Sequence, residues 1–258
     1  MKDLISIIVP TFNERDNVFP LFKRIDDTMK GIPYELIYMD DSKDDTPTVI
    51  QRLCDEHPQV HMIHREKSNG LSGAVIDGFQ AAKGNYLAVM DADLQHPPEL
   101  LRAMYLYLED GYDLCLPSRF IPGGSDGGLN AWRKFVSWTA REMGVLSLRS
   151  LRRMSDITGG YFALRKKCIE GADLRGLGWK ILVEVLAMGQ YNSVCEIPFA
   201  FQMRNAGESK ISTKVTLEYI QQLRGLRSRE IKNRKISVDR KSPEEVQRRV
   251  GADGKTTH

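Results

Sequence analysis

Short apolar runs alternating with amphipathic helical stretches constrain this 258-residue chain more than any other feature. Residues 4–9, 34–39, 60–63, 86–90 and 113–117 are β-rich, and each of the first four runs into a polar turn followed by a helical pattern. The first helix places Val18, Leu21, Phe22 and Ile25 on one face, and the second carries Val49, Ile50 and Leu53. Asp44, Asp45 and Thr46 supply caps for the second helix. Parallel strands need long crossovers, so this alternation predicts an α/β fold with a mostly parallel sheet covered by helices on both faces.

In such a sheet, ligands bind in the crevice outside the carboxyl ends of the strands. The run Tyr86-Leu-Ala-Val-Met changes there to Asp91-Ala-Asp93-Leu-Gln95-His-Pro-Pro98, and the proline pair starts a helix. If the strand stays extended, Asp91, Asp93 and Gln95 fall on one side and offer hard oxygen ligands. Mg2+ or Mn2+ takes that set, with a diphosphate completing the shell. An Asp-x-Asp alone is more often a solvated turn, and its place directly after an apolar strand is what raises the metal reading. Glu14, Asp40 and Asp41, at two other strand ends, suit hydrogen bonds from a nucleobase or ribose. The first turn has no glycine, and Gly70 and Gly73 serve a tight turn and helix packing, so a dinucleotide site is set aside.

Net charge is only +3, no stretch reaches the length needed to span a bilayer, and the start lacks a signal-peptide pattern. Cys54, Cys115, Cys168 and Cys195 form no C-x-x-C pair, so neither a zinc site nor a disulfide framework is signalled and a reduced, cytosolic setting is expected.

Six motifs then occur in order: Pro10-Thr-Phe-Asn-Glu14, Asp40-Asp41, Asp91 to Pro98, Ser118-Arg119-Phe120, Thr158-Gly-Gly-Tyr-Phe-Ala-Leu-Arg165 and Arg204-Asn-Ala-Gly-Glu-Ser-Lys210. Together, over residues 4–220, they resemble the family 2 glycosyltransferases of GT-A Rossmann-like fold, most closely the dolichyl or polyprenyl phosphate mannosyltransferases. The resemblance implies that Pro10, Phe12, Glu14, Met39 and Asp41 contact the nucleotide. It places Asp91, Ala92, Asp93 and Gln95 at the metal and diphosphate, with Arg119, Arg204 and Lys210 also on the nucleotide sugar. Phe12 stands where many relatives have Tyr, and the turn after Asp41 is one residue shorter than the common form.

Sugar transfer from a nucleotide diphosphate builds negative charge on the leaving group, which a cation on Asp91, Asp93 and Gln95 would offset. A sugar hydroxyl acceptor needs a general base. A phosphomonoester, with a second pKa near about 6, is already anionic at neutral pH and needs only positioning. Arg119, Arg133, Arg204 and Lys210 are the candidates for that. Asp91, Asp93 and Arg119 form the expected catalytic set. The expected donor is GDP-mannose and the acceptor dolichyl or polyprenyl phosphate, with inversion to a β-linked product; a UDP-sugar such as UDP-glucose is the alternative donor.

The expected catalytic domain is 1–212, including an amphipathic interfacial segment at 129–154 where Trp132, Val136, Thr139 and Met143 share a face and arginines outnumber acids. An amphipathic, basic helix at 213–235 and a basic, disordered tail at 236–258 are expected to follow. The protein is thus expected at the cytoplasmic face of a membrane, held by these segments or by a membrane-anchoring partner subunit. The basic tail also suits a nucleic-acid-binding protein. That class is set aside because no nucleic-acid module is recognisable and the acidic strand ends would repel a polyanion.

Overall fold

The computed structural model describes residues 2–128, 131–202, 213–232 and 234–251. The five runs read from sequence form β1 (Ile5–Thr11), β2 (Tyr34–Asp40), β3 (Val60–His64), β4 (Tyr86–Val89) and β5 (Leu114–Ser118). The crossovers between them are α1 (Arg15–Thr28), α2 (Thr46–Glu56), α3 (Leu71–Ala81) and α4 (Leu100–Glu109). Then follow α5 (Ala131–Ser147), β6 (Phe162–Arg165), α6 (Ile181–Met188), β7 (Ser193–Pro198), α7 (Thr213–Arg227), β8 (Ser237–Arg240) and α8 (Pro243–Val250).

Among the described residues the strands form one eight-stranded sheet in the order β3-β2-β1-β4-β6-β5-β7-β8. Only β6 runs against its neighbours β4 and β5, so the mostly parallel expectation holds. That reversal matters for the site. It brings the start of β6, not its end, to the edge where β1, β2, β4 and β5 finish.

Alternation along the strands splits the core in two. Ile5, Ile7, Val9, Leu36, Tyr38 and Ala88 pack on one face with α1, α2 and α4, whereas Ile8, Ile37, Met39, Leu87 and Val89 pack on the other with α3 and α6. The four residues predicted to face the core from the first helix are all buried. α5 and α7 lie over the second face, where the Tyr219 hydroxyl donates to the Ala140 carbonyl at 3.0 Å.

The expected disordered tail is ordered over its first part. Residues 237–240 pair in parallel with β7, and α8 opens on a capping box in which the Ser242 hydroxyl accepts from Glu245 N–H at 3.3 Å and the Glu245 carboxylate accepts from Ser242 N–H at 2.8 Å. Val246 is buried against the α4 face, which gives this highly charged segment an apolar anchor. Residues 252–258 lie outside the described residues.

Candidate active site

β4 stops at Val89, and the chain beyond it turns instead of staying extended. Leu94 adopts φ 62°, and the Gln95 N–H closes on Asp93 Oδ1 at 3.1 Å. Asp91, Asp93 and Gln95 therefore do not line one side of a strand. Both ends of the turn are pinned. The Asp91 N–H donates to His96 Nδ1 at 3.1 Å, while Gln95 Nε2 donates to the Gln202 carbonyl and Gln202 N–H to the Gln95 carbonyl, each at 3.0 Å.

His96 is the post of this turn. It is 2% exposed and stacks on Tyr161 at 5.0 Å, and the Tyr161 hydroxyl donates to the Pro97 carbonyl at 2.9 Å. Because Nδ1 accepts a backbone N–H, the ring is neutral and carries its proton on Nε2. Burial holds its pKa down at about 4, with Arg119 acting in the same direction and Asp93 opposing it. The 3.6 Å approach of His96 to Asp91 Oδ2 is accordingly no ion pair at neutral pH. On the other side of Asp91 stands Gly160, where a Cβ would lie 3.2 Å from Oδ2. The missing side chain lets the backbone there approach the carboxylate closely.

Arg119 follows β5 and is locked to Asp156, whose side chain is fully buried. Its Nε donates to Oδ2 at 2.7 Å and its Nη2 to Oδ1 at 3.1 Å, a paired geometry that fixes the plane of the guanidinium. Lys180, just before α6, donates to the Thr158 carbonyl at 2.9 Å. Burial and the neighbouring Arg119 lower its pKa, while Asp156 and Asp91 oppose that shift. The Asp91 turn, Arg119, Asp156 and Lys180 thus lie near enough to act on one another electrostatically.

At the neighbouring strand ends, Phe12 is 49% exposed and Pro10 half-buried. The Glu14 carboxylate accepts from Asn17 at 2.6 Å. Asp40 is fully buried, accepting from Ser42 Oγ at 2.5 Å and lying 2.6 Å from His64 Nδ1, so it does not face a ligand. Asp41 receives Arg65 Nε at 2.7 Å, Arg65 Nη2 at 2.6 Å and Ser68 Oγ at 2.6 Å. Arg65 also reaches Asp77 at 2.7 Å. The Met39 and Ala92 side chains are buried, leaving their backbone as what they offer the edge. Arg133 lies in α5, where its side chain is outside the description, and Arg204 and Lys210 are outside the described residues.

Two carboxylates, one of them 35% exposed and faced by a glycine, suit a hard divalent cation, with Asp91 and Asp93 as its holders. Gln95 commits its amide nitrogen to Gln202. Among the described residues no group of three His, Cys, Asp or Glu side chains is assembled, so a cation here would draw remaining ligands from its diphosphate and water. Sequence reasoning missed Arg65, Asp156 and Lys180, which meet their partners only through the fold. His96 lay inside the quoted motif and was passed over.

Comparison with known proteins gives consistent findings. The family model described as glycosyl transferase family 2 matches residues 6–171. A dolichol-phosphate mannosyltransferase of Pyrococcus furiosus is 42% identical over 85% of this chain and 62% of its own length, so the chain spans under two thirds of that relative. A Saccharomyces cerevisiae protein of the same name is 39% identical over 86% of each chain. Among solved structures, glucosyl-3-phosphoglycerate synthase from Mycobacterium tuberculosis, with Mn2+, UDP-glucose and phosphoglyceric acid, superposes with TM-score 0.66 at 16% identity, over 88% of this chain and 80% of that one. A mannosyltransferase from Pyrobaculum calidifontis, with GDP-Man and Mn2+, gives 0.51 at 15%, over 86% and 64%. At these identities the likeness speaks to the fold, which is GT-A.

Proposed function

The chain belongs to glycosyl transferase family 2, and from that membership we propose that it moves mannose from GDP-mannose to dolichyl or another polyprenyl phosphate at a membrane surface, with inversion. The relatives' names supply the sugar and acceptor. The observation that carries the chemistry is the convergence of Asp91 and Asp93 with the guanidinium of Arg119 and the ammonium of Lys180.

Mg2+ or Mn2+ held by Asp91 and Asp93 would supply positive charge against the leaving diphosphate. Arg119, its plane set by Asp156, and Lys180 add fixed cations nearby and stabilise charge that grows there during transfer. Phe12 offers an exposed ring at the nucleotide side, and Asp41 a carboxylate immobilised by Arg65. Support for a phosphate acceptor comes from His96, whose Nδ1 accepts the Asp91 N–H. Its imidazole is buried behind Asp91 with Nδ1 occupied, so it cannot take a proton from a sugar hydroxyl. A phosphate acceptor needs no such base, since it attacks as an anion. One in-line displacement then gives a β-linked mannosyl phosphate.

The test combines binding and turnover. Thermal unfolding with Mn2+ is measured against GDP, GDP-mannose, UDP and UDP-glucose, because a ligand of the native state raises apparent stability. Metal-dependent stabilisation by the guanosine ligands, together with chelator-sensitive transfer of mannose to polyprenyl phosphate, is expected. Asp91→Ala and Asp93→Ala should each lower turnover by at least about a hundredfold, the scale of losing one transition-state charge partner. A response to uridine ligands alone would replace the donor, and full activity of Asp93→Ala in chelator would remove the metal.

A further inference from the structure

Glu196 lies in β7, fully buried on the apolar face shared with Leu116 and Ile157, and neither sugar nor lipid can reach it. Its carboxylate accepts from Ser155 N–H at 2.5 Å, from Ser155 Oγ at 2.8 Å and from Arg240 Nε at 2.9 Å. Arg240 arrives as its lateral neighbour in β8. An acceptor-only group at the end of a hydroxyl chain fixes every proton in it. Ser155 donates to Glu196, Ser118 Oγ therefore donates to Ser155 Oγ at 2.6 Å, and Phe120 N–H donates to Ser118 Oγ at 3.1 Å. Arg119 lies between Ser118 and Phe120, and the carboxylate that orients its guanidinium belongs to Asp156, the residue after Ser155. The backbone carrying Arg119 and the group aiming it hang from one turn. Arg141 of α5 closes the same turn by donating to the Ser155 carbonyl at 2.7 Å.

We propose that Glu196, with Arg240 as its counter-ion and Ser155 as its relay, is a positioning residue for Arg119 in glycosyl transfer. The proposal rests on the function proposed above, in which Arg119 acts on the transferring phosphates. The sheet does not need the carboxylate, because β7 is already joined to β5 and β8 through its backbone on both sides. What the carboxylate adds is direction.

Rates of mannosyl transfer from GDP-mannose to polyprenyl phosphate are measured for the unaltered chain, Glu196→Gln, Arg119→Ala and the double variant, each with its unfolding temperature. Glu196→Gln keeps shape but lets its amide compete for the relay. It is expected to lower kcat about tenfold in the unaltered background and less than about twofold when Arg119 is already Ala, since a group acting through another loses its effect with it. Arg240→Ala should show the same dependence on Arg119, with Arg240→Lys restoring most of the rate. An equal loss in both backgrounds, or no loss from Glu196→Gln, overturns the positioning role. Normal activity of Arg119→Ala overturns it as well. No transfer by the folded, unaltered chain overturns the proposed reaction, and this inference with it.

Discussion

His96 is a buried imidazole whose neutrality holds the Asp91 turn together, and this makes the turn sensitive to acid. In the unfolded chain a histidine takes its proton near pH 6.5, whereas His96 resists until about 4. Between those values the unfolded state binds more protons than the folded one, so stability is complete above about pH 6.5 and falls as pH drops towards 4. The full difference is roughly 3 kcal/mol. Urea unfolding of metal-free protein from pH 7 to 4 should show this slope, and His96→Asn, which keeps a hydrogen-bond acceptor, should flatten it; parallel slopes for the two proteins would place the acid sensitivity elsewhere. Arg65 makes a second residue-scale case. Its side chain is 6% exposed and pairs with Asp41, so Arg65→Ala leaves a nearly buried carboxylate without its counter-ion. A loss of about 3 kcal/mol in denaturant unfolding is expected. That Asp91, Asp93 and Arg119 stand just beyond strand ends was legible because each follows an apolar run in a local motif. Asp41 was legible as a residue but not as a pair, because nothing local signals that Arg65, across a crossover, would fill both its oxygens.

At the scale of elements, β1 to β5 and α1 to α4 were readable because each apolar run is long enough to show its period and each helix covers the sheet with one clear face. β6 and β8 have four residues each, as β4 does, but they lack its unbroken apolar run: β6 ends in Arg165, and Val238 is the one apolar residue of β8. β7 carries Glu196 among apolar residues, and a charge in a six-residue run reads as surface until Arg240 and Ser155 are seen around it. The end of the chain is a different case. Ser242-Pro243-Glu244-Glu245 is a written helix start, with a capping residue, proline at the first position and glutamate three on, but it is set among basic residues that by composition suggest a disordered tail. Ser242→Ala should cost about 1 kcal/mol by removing the cap. Hydrogen exchange should then rise in α8 and β8 and not in β1. Uniform protection loss across the sheet would mean that the segment is not a separable unit.

For the whole molecule the question is what would hold the chain at a membrane if its acceptor is the lipid phosphate proposed above. No helix among the described residues is long and apolar enough to cross a membrane. Exposed side chains on α5 and α7 would offer another means. Trp138 and Leu146 of α5 are 55% and 75% exposed, Leu217 of α7 is 61% exposed, and Arg149 and Arg152 are exposed just beyond α5. α5 and α7 are joined through Tyr219, and α5 also reaches the Arg119 turn through Arg141, so the helices that bear this surface are built onto the catalytic edge. Apolar side chains entering the headgroup layer gain transfer energy, and each nearby cation adds roughly 1 kcal/mol on anionic lipid. Exposed leucines make few internal contacts, so Leu146→Ser with Leu217→Ser should leave the unfolding temperature nearly unchanged. Losing most of about 1.5 kcal/mol at each site predicts at least a tenfold weaker association with phosphatidylglycerol vesicles in a flotation assay. Raising the salt should weaken the unaltered protein through its arginines and the variant still further. Undiminished flotation of the double variant would move the attachment away from α5 and α7, and the lipid phosphate would then have to approach Arg119 from another side.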